Sequence, residues 1–370
     1  MGPARAPVVI LCLAAAASAA VPATSPWEED LALLARELPG RHAAPETERP
    51  LAAFRAEVER LRPRLPALRR EQILVEFARL AASFGDSHTK VPLQQPAAGF
   101  GAVPLGLYLF GADLRLVATD PAHADLLGTR LAAIEGRPIQ EVLDRLRPIL
   151  ADDSGNQNEW THSAPQMLAI PEVLAGLDLA PAGGPIRFTF EDDQGSRRTE
   201  AFGRLPPADA AALTARVLAN DGPALFTHRR DRWYWSEPAA GSRLIYARVS
   251  RCAEQDGQES LAAFAKGLAA AIRKEAPARV ALDLRLNTGG DARKVGPLGD
   301  VLVRAVRAGE ARDLAVILGR HTYSAAILLA ARLRHEAGAR FAGETPRAAP
   351  NRQGEVESFL LPNSKLTVTY

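Results

Sequence analysis

The chain has 370 residues, 47% of them hydrophobic and 24% charged. That is ordinary for a soluble globular protein of two or three domains. A formal net charge of +2 supplies neither a basic nor an acidic field of the kind that binds nucleic acid or an anionic membrane.

The first residues read as a secretory leader, 1–19: Arg5 gives a positive start, Val8 to Ala17 a short apolar run, and Ala17-Ser18-Ala19 a small-residue cleavage site. The run is too short to cross a bilayer as a helix, so no integral membrane segment is expected once the leader is removed, and the protein is expected in the periplasm or outside the cell. Cys12 leaves with the leader. Cys252 then stands alone, without an intrachain disulfide, and is expected to be buried.

Residues 24–98 read as a helical unit. Leu51, Phe54, Val58, Leu61, Leu65 and Leu68 recur every three or four residues, the spacing of one apolar helix face, and Pro63 and Pro66 interrupt it. A further helix covers about 70–83, with Gly85 where a C-terminal cap belongs. Residues 99–155 change to short apolar segments between glycines: strands at Val103 to Phe110, Leu114 to Ala118 and Leu131 to Ile134, then a helix at Ile139 to Leu146. Residues 156–242 read as a linker with β-rich character. Phe188 to Phe190 forms a strand, and Asp192-Asp193-Gln194-Gly195 a hairpin turn.

From 243 to 370 strands and helices alternate, the pattern of an α/β core with a mainly parallel sheet. Strands are expected at Leu244 to Val249, Arg279 to Leu286, Asp313 to Leu318 and Ala339 to Ala342. Helices follow near Leu261 to Ile272, Val295 to Val306 and Ala325 to His335, and a hairpin at Phe359 to Tyr370 turns at Pro362-Asn363. The last strand, Leu366 to Tyr370, reaches the final residue, which reads as a truncated core.

Three segments have the residue types chemistry needs. Ser324 stands between a strand and a helix, where unpaired N–H groups and the helix dipole favour a developing oxyanion; the same position also suits an ordinary N-cap serine. Asp283-Leu284-Arg285-Leu286-Asn287-Thr288-Gly289-Gly290 carries a buried strand into a Gly-Gly turn at the same sheet edge, where glycines permit close backbone approach. Phe84-Gly85-Asp86-Ser87-His88-Thr89 presents a histidine just after a helix stop. No dinucleotide fingerprint, no G-x-S-x-G elbow and no H-E-x-x-H is present. Ser87-His88-Thr89-Lys90 matches S-x-x-K by chance, since neither S-D-N nor K-T-G follows. Neither a metal nor a cofactor is called for.

Taken together and in order, Gly85-Asp86-Ser87-His88-Thr89, Asp283-Leu284-Arg285-x-Asn287-x-Gly289-Gly290, Ser324-Ala325-Ala326 and Gly343-Glu344 resemble the tail-specific (C-terminal processing) serine peptidase family. The resemblance implies an α/β peptidase core, an N-terminal helical segment and an inserted PDZ-like module at 99–155. It implies an exported endopeptidase acting on a peptide or protein substrate, with Ser324 as nucleophile and the amides of Ala325 and of Gly289 or Gly290 as oxyanion hole. The bacterial members use a lysine in a stretch like G-E-x-T-F-G-K-G. Here Ala349 holds that position and Arg347 precedes it, and a guanidinium does not deprotonate. The chain is therefore nearer the tricorn-like and retinoid-binding-protein-like branch, which implies His88 as the base and Asp86 or Glu344 as local candidates for its orienting acid. The missing lysine leaves an alternative from another class, a non-catalytic binding protein for an apolar ligand or a peptide on the same fold.

Overall fold

The computed structural model describes residues 25–42, 51–151, 158–206, 208–209, 224–350 and 356–370. The expected leader lies outside them.

Three helices open the described chain, α1 (Pro26–Arg41), α2 (Leu51–Leu61) and α3 (Arg70–Ala82). Helix α1 starts at a capping box: the Ser25 hydroxyl accepts from the Glu28 amide while the Glu28 carboxylate accepts from the Ser25 amide. The apolar spacing on α2 buries Phe54, Val58 and Leu61, and the two prolines turn the chain into a 3₁₀ segment at Arg62–Ala67 that buries Leu65.

An antiparallel sheet follows in the order β1 (Leu105–Phe110), β2 (Asp113–Thr119), β3 (Arg130–Ile134), β5 (Ile186–Glu191), β6 (Arg197–Phe202), with the short β4 (Arg137–Pro138) also on β3. Helix α4 (Ile139–Leu146) has the expected bounds, and α5 (Asn158–Met167) and α6 (Pro171–Gly176) come before β5. The 156–242 stretch thus does more than link: its β5 and β6 complete the sheet begun at 105. The expected boundary at 98/99 does not separate two cores. Leu34, Phe54 and Phe77 from the helices share one apolar cluster with Leu116, Leu131, Phe188 and Phe190 from the sheet.

The second core is the α/β unit. Its sheet runs β11 (Arg340–Gly343), β10 (Asp313–Leu318), β9 (Arg279–Asp283), β8 (Leu244–Val249), β7 (Tyr234–Pro238), parallel except for the antiparallel edge strand β7. Helices α7 (Leu261–Glu275), α8 (Ala292–Arg307) and α9 (Ala325–Ala337) cover it. The Ser260 and Asp291 side chains cap α7 and α8. In the run Trp233-Tyr234-Trp235 the last two residues are buried, Tyr234 against Phe264 and Trp235 against Tyr246.

The terminal hairpin, β12 (Ser358–Leu360) and β13 (Thr367–Thr369), lies elsewhere than expected. It joins the first core, not the α/β core: Leu361, Leu366 and Val368 are buried among the N-terminal helices. The reason is polar as well as apolar. Asp30, fully buried, accepts the Asn363 and Ser364 amides at 2.9 and 2.7 Å, so its charge is satisfied only with the hairpin in place. At the other end Lys90 and Thr369 exchange backbone hydrogen bonds of 3.1 and 3.0 Å, and the Thr369 hydroxyl donates to the His88 carbonyl at 2.6 Å. The hairpin therefore fastens the loop that presents His88.

Candidate active site

Strand β10 ends at Leu318, and the loop after it is pinned to the neighbouring strand end. The Thr322 hydroxyl, fully buried, donates to the Leu284 carbonyl at 2.7 Å and accepts from the Gly319 amide at 3.0 Å. The Tyr323 amide donates to the Asn287 carbonyl at 2.9 Å. Held at both points, the chain turns sharply, and Ser324 takes φ 51°, ψ −125° before α9 begins at Ala325. A positive φ at a residue with a Cβ costs on the order of 1–3 kcal/mol and persists only where the surroundings enforce it. Its side chain makes no capping hydrogen bond, so the ordinary N-cap reading does not describe this serine. The hydroxyl sits at the head of α9, half-buried, with the dipole behind it.

The Gly-Gly turn lies against this serine, as the sequence expected. A Cβ on Gly289 would meet the Ser324 Cβ at 2.8 Å and the Tyr323 carbonyl oxygen at 2.9 Å, and one on Gly290 would meet the Cys252 carbonyl at 2.4 Å. Only glycine fits either place. Asn287, fully buried, organises the turn: its side-chain amide donates to the Val249 carbonyl at 3.0 Å, while its side-chain oxygen accepts the Gly289 amide at 2.9 Å and faces the Cys252 thiol at 3.4 Å. The Gly289 amide is thus already engaged. The amides of Ala325 and Gly290 make no hydrogen bond among the described residues. Cys252 is buried, and burial pushes its thiol up to about 12 against a weaker opposing pull from Asn287. Asp283 is held by Arg285 and by the Tyr246 hydroxyl at 2.6 Å and buttresses the strand end.

His88 arrives from the first core. Its imidazole stacks on the ring of Tyr323, the residue before Ser324, with centroids 4.6 Å apart and planes 23° from parallel. The ring is buried, and neither Nδ1 nor Nε2 has a hydrogen-bond partner among the described residues. Asp86 lies beneath it, Oδ1 3.6 Å from Nδ1, and also accepts the His88 amide at 3.0 Å and the Thr89 hydroxyl at 2.7 Å. Burial alone would raise the Asp86 carboxyl; its interactions with His42, His88 and Thr89 outweigh that and hold it well below the usual carboxylate range. No hydrogen bond joins His88 to the Ser324 hydroxyl. Of the two acid candidates, Asp86 is beside the histidine. Glu344 is bound elsewhere: it accepts the Tyr108 hydroxyl at 2.6 Å and pairs with Arg320 at 2.7 Å, tying β1 to the loop before Ser324.

Several neighbours escaped sequence reading. Tyr323 is the centre of them: the Arg347 guanidinium lies 3.8 Å from its ring centroid, the Lys90 ammonium 5.8 Å, and its hydroxyl is 3.2 Å from the Ser87 hydroxyl. Arg347 also faces the buried carboxylate of Glu159 at 3.5 Å. His162 and His321 meet edge to face at 4.7 Å. Burial, then the nearby Arg347, His321, Lys90 and Arg320, pushes His162 down to about 2. The S-x-x-K spacing dismissed as chance does bring Lys90 into this neighbourhood, though not by any penicillin-binding logic.

No protein-family model and no curated protein sequence matches the chain. Solved structures do. A structure of mature CPAF complexed with lactacystin matches at TM-score 0.60 and 12% identity, over 93% of this chain and 89% of that one. A photosystem II D1 C-terminal processing protease covers 93% of this chain and 87% of its own at 15% identity, but at TM-score 0.42. The tricorn protease covers 93% and 31% at 11% identity and TM-score 0.31. The last two scores are too low to argue from; at 12% identity the first is a likeness of fold, and the chain has the fold of mature CPAF.

Proposed function

We propose that the protein is an exported serine-type endopeptidase that cleaves peptide bonds through an acyl-enzyme on Ser324, with His88 as general base. One observation supports this above the others. Ser324 is held at positive φ at a helix head, its hydroxyl unused for capping, with an imidazole brought from a distant core against the adjacent residue. A structural serine has no need of that strain.

In this reading the His88 imidazole takes the Ser324 proton as the hydroxyl attacks the peptide carbonyl, then returns it to the departing amine. The developing oxyanion faces the Ala325 amide and the Gly290 amide, since that of Gly289 is spent on Asn287. Each such donor is worth about 10²–10³ in rate. Asp86, anionic over the physiological range, is the carboxylate nearest the base and the candidate for its orienting acid. The sheet of β1–β6 serves as the PDZ-like substrate-binding module. The leader at 1–19 directs export to the periplasm or beyond.

A second reading, a binding protein on the same fold, draws on the absence, among the described residues, of any hydrogen bond to either His88 ring nitrogen. A cleft of about 390 Å³ beside α2 and α3 is lined by Leu61, Leu80, Pro148 and Leu150 as well as by Glu57 and Arg79. Casein or peptide hydrolysis, with fluorophosphonate labelling, separates the two. Ser324→Ala is expected to abolish both, and His88→Ala to reduce both severely. Full hydrolysis by Ser324→Ala ends the peptidase reading, and co-purified ligand without labelling favours the binding one.

A further inference from the structure

An imidazole that acts as a base must keep its ring plane, and the His88 ring has no hydrogen bond among the described residues to do so. Both ring nitrogens are buried and make no hydrogen bond among the described residues, and the Asp86 Oδ1 beside Nδ1 is 3.6 Å away, beyond hydrogen-bond length. The backbone beneath it is fixed, by the Asp86 turn and by the Thr369 hydroxyl on its carbonyl. Rotation of the side chain is limited on one face by the ring of Tyr323, whose centroid lies 4.6 Å away.

Tyr323 is itself immobilised from three directions. Its amide is bound by Asn287, its hydroxyl meets Ser87 at 3.2 Å, and the Arg347 guanidinium lies 3.8 Å from its ring. It is buried, and it is covalently next to Ser324. One residue therefore fixes the imidazole through its ring and the nucleophile through its backbone. We propose that Tyr323 is the positioning residue of the Ser324–His88 pair, setting the imidazole plane by stacking where hydrogen bonding does not. The proposal rests on the serine-peptidase reading for its catalytic part, and on the stack alone for its geometric part.

The test compares Tyr323→Phe, which keeps the ring, with Tyr323→Leu, which removes it, each with His88 present and in a His88→Ala background. Rates are read as kcat and KM on a fluorogenic peptide and as the rate constant of fluorophosphonate labelling. Misplacing a catalytic group by about 1 Å costs on the order of 10²-fold. Tyr323→Leu is expected to lower kcat and labelling roughly 10- to 100-fold with KM nearly unchanged, and Tyr323→Phe to restore most of the loss. In the His88→Ala background Tyr323→Leu should cost nothing further, because its effect runs through the imidazole. An equal loss without His88, or Phe as damaging as Leu in a folded protein, overturns the proposal. A readout independent of activity is the NMR shift of the His88 ring protons, assigned by their disappearance in His88→Ala. Stacking moves them upfield in the parent and in Tyr323→Phe, and Tyr323→Leu returns them towards free-imidazole values. Unshifted protons in the parent refute the stack. A parent that hydrolyses nothing yet shows the shift, lost in Tyr323→Leu, retains the positioning and loses the peptidase.

Discussion

Gly289→Ala is the substitution that most directly probes how the Gly-Gly turn and Ser324 fit together. The added Cβ would stand 2.8 Å from the Ser324 Cβ and 2.9 Å from the Tyr323 carbonyl oxygen. Carbon atoms in contact prefer about 3.5–4.0 Å, so the two segments must part by about 1 Å, and neither neighbour is the far end of a flexible side chain. The backbone at φ +92° adds a second penalty. A Cβ at positive φ costs about 1–2 kcal/mol, and overpacking a filled site about 1–3 kcal/mol, which together predict a loss of about 2–5 kcal/mol. Gly111→Ala separates the two costs. Gly111 has φ +61° with nothing within 4 Å of the added atom, so it bears the backbone penalty alone. Urea unfolding midpoints at unchanged slope give the difference, and peptide hydrolysis reports the displacement of Ser324, expected at about 10²-fold. If Gly289→Ala unfolds at the same midpoint as Gly111→Ala and keeps its hydrolysis, the turn does not abut the serine and the assembled site is wrong.

Ser324→Gly relieves about 1–3 kcal/mol of backbone strain against about 0.4–1 kcal/mol of added freedom in the unfolded chain, so it should raise stability by up to about 2 kcal/mol while abolishing hydrolysis; a lower urea midpoint would show that the serine is not strained. Asp86 has a folded pKa below its ordinary value of 3.8, so its contribution to stability is present above that value and is lost as pH falls below it. Asp86→Asn should therefore lower the midpoint at pH 7 and flatten its decline between pH 5 and 2.5, and an unchanged decline assigns the acid limb to other groups. His162 titrates at about 2 when folded against 6.5 when free. The unfolded chain takes up the proton first, and stability falls as pH drops below about 6.5, by up to about 1.4 kcal/mol per unit. Between pH 7.5 and 5.5 the parent should lose about 1.4 kcal/mol and His162→Gln distinctly less; equal losses refute the buried neutral imidazole.

What could be read in advance follows from which signals are local. Helix α4 and strand β10 have the bounds their sequences imply, because an amphipathic period or an apolar run between turn residues is complete within the segment. Strand β6 shows the opposite case. Arg197 to Phe202 buries Phe202 alone, on the outer edge of its sheet, so no alternation marks it. Helix α5 has Pro165 inside it, and its buried face includes Glu159, His162 and Ser163; polarity there signals neighbours in space, not solvent. The terminal hairpin was visible as a hairpin, but its partner was not, since the buried carboxylate that receives it is Asp30, 333 positions away from Asn363.

The site divides along the same line. Ser324, Gly289, Gly290 and His88 announce themselves by local punctuation: a strand end before a helix, a glycine pair, a helix stop. Tyr323 does not, because an aromatic residue at a strand-to-helix turn is what ordinary packing also produces. Its contact with the His88 loop spans 236 positions, as the Ser87–Tyr323 hydrogen bond shows. Sequence spacing can nominate a nucleophile and a base separately, since each needs a particular local backbone. On the proposed reading, what brings them together is a side chain chosen for shape against a partner from another core, and a tyrosine used this way differs from a merely buried one only in the residue across its ring. That is why substituting Tyr323 in the presence and absence of His88, rather than substituting it alone, distinguishes packing from positioning.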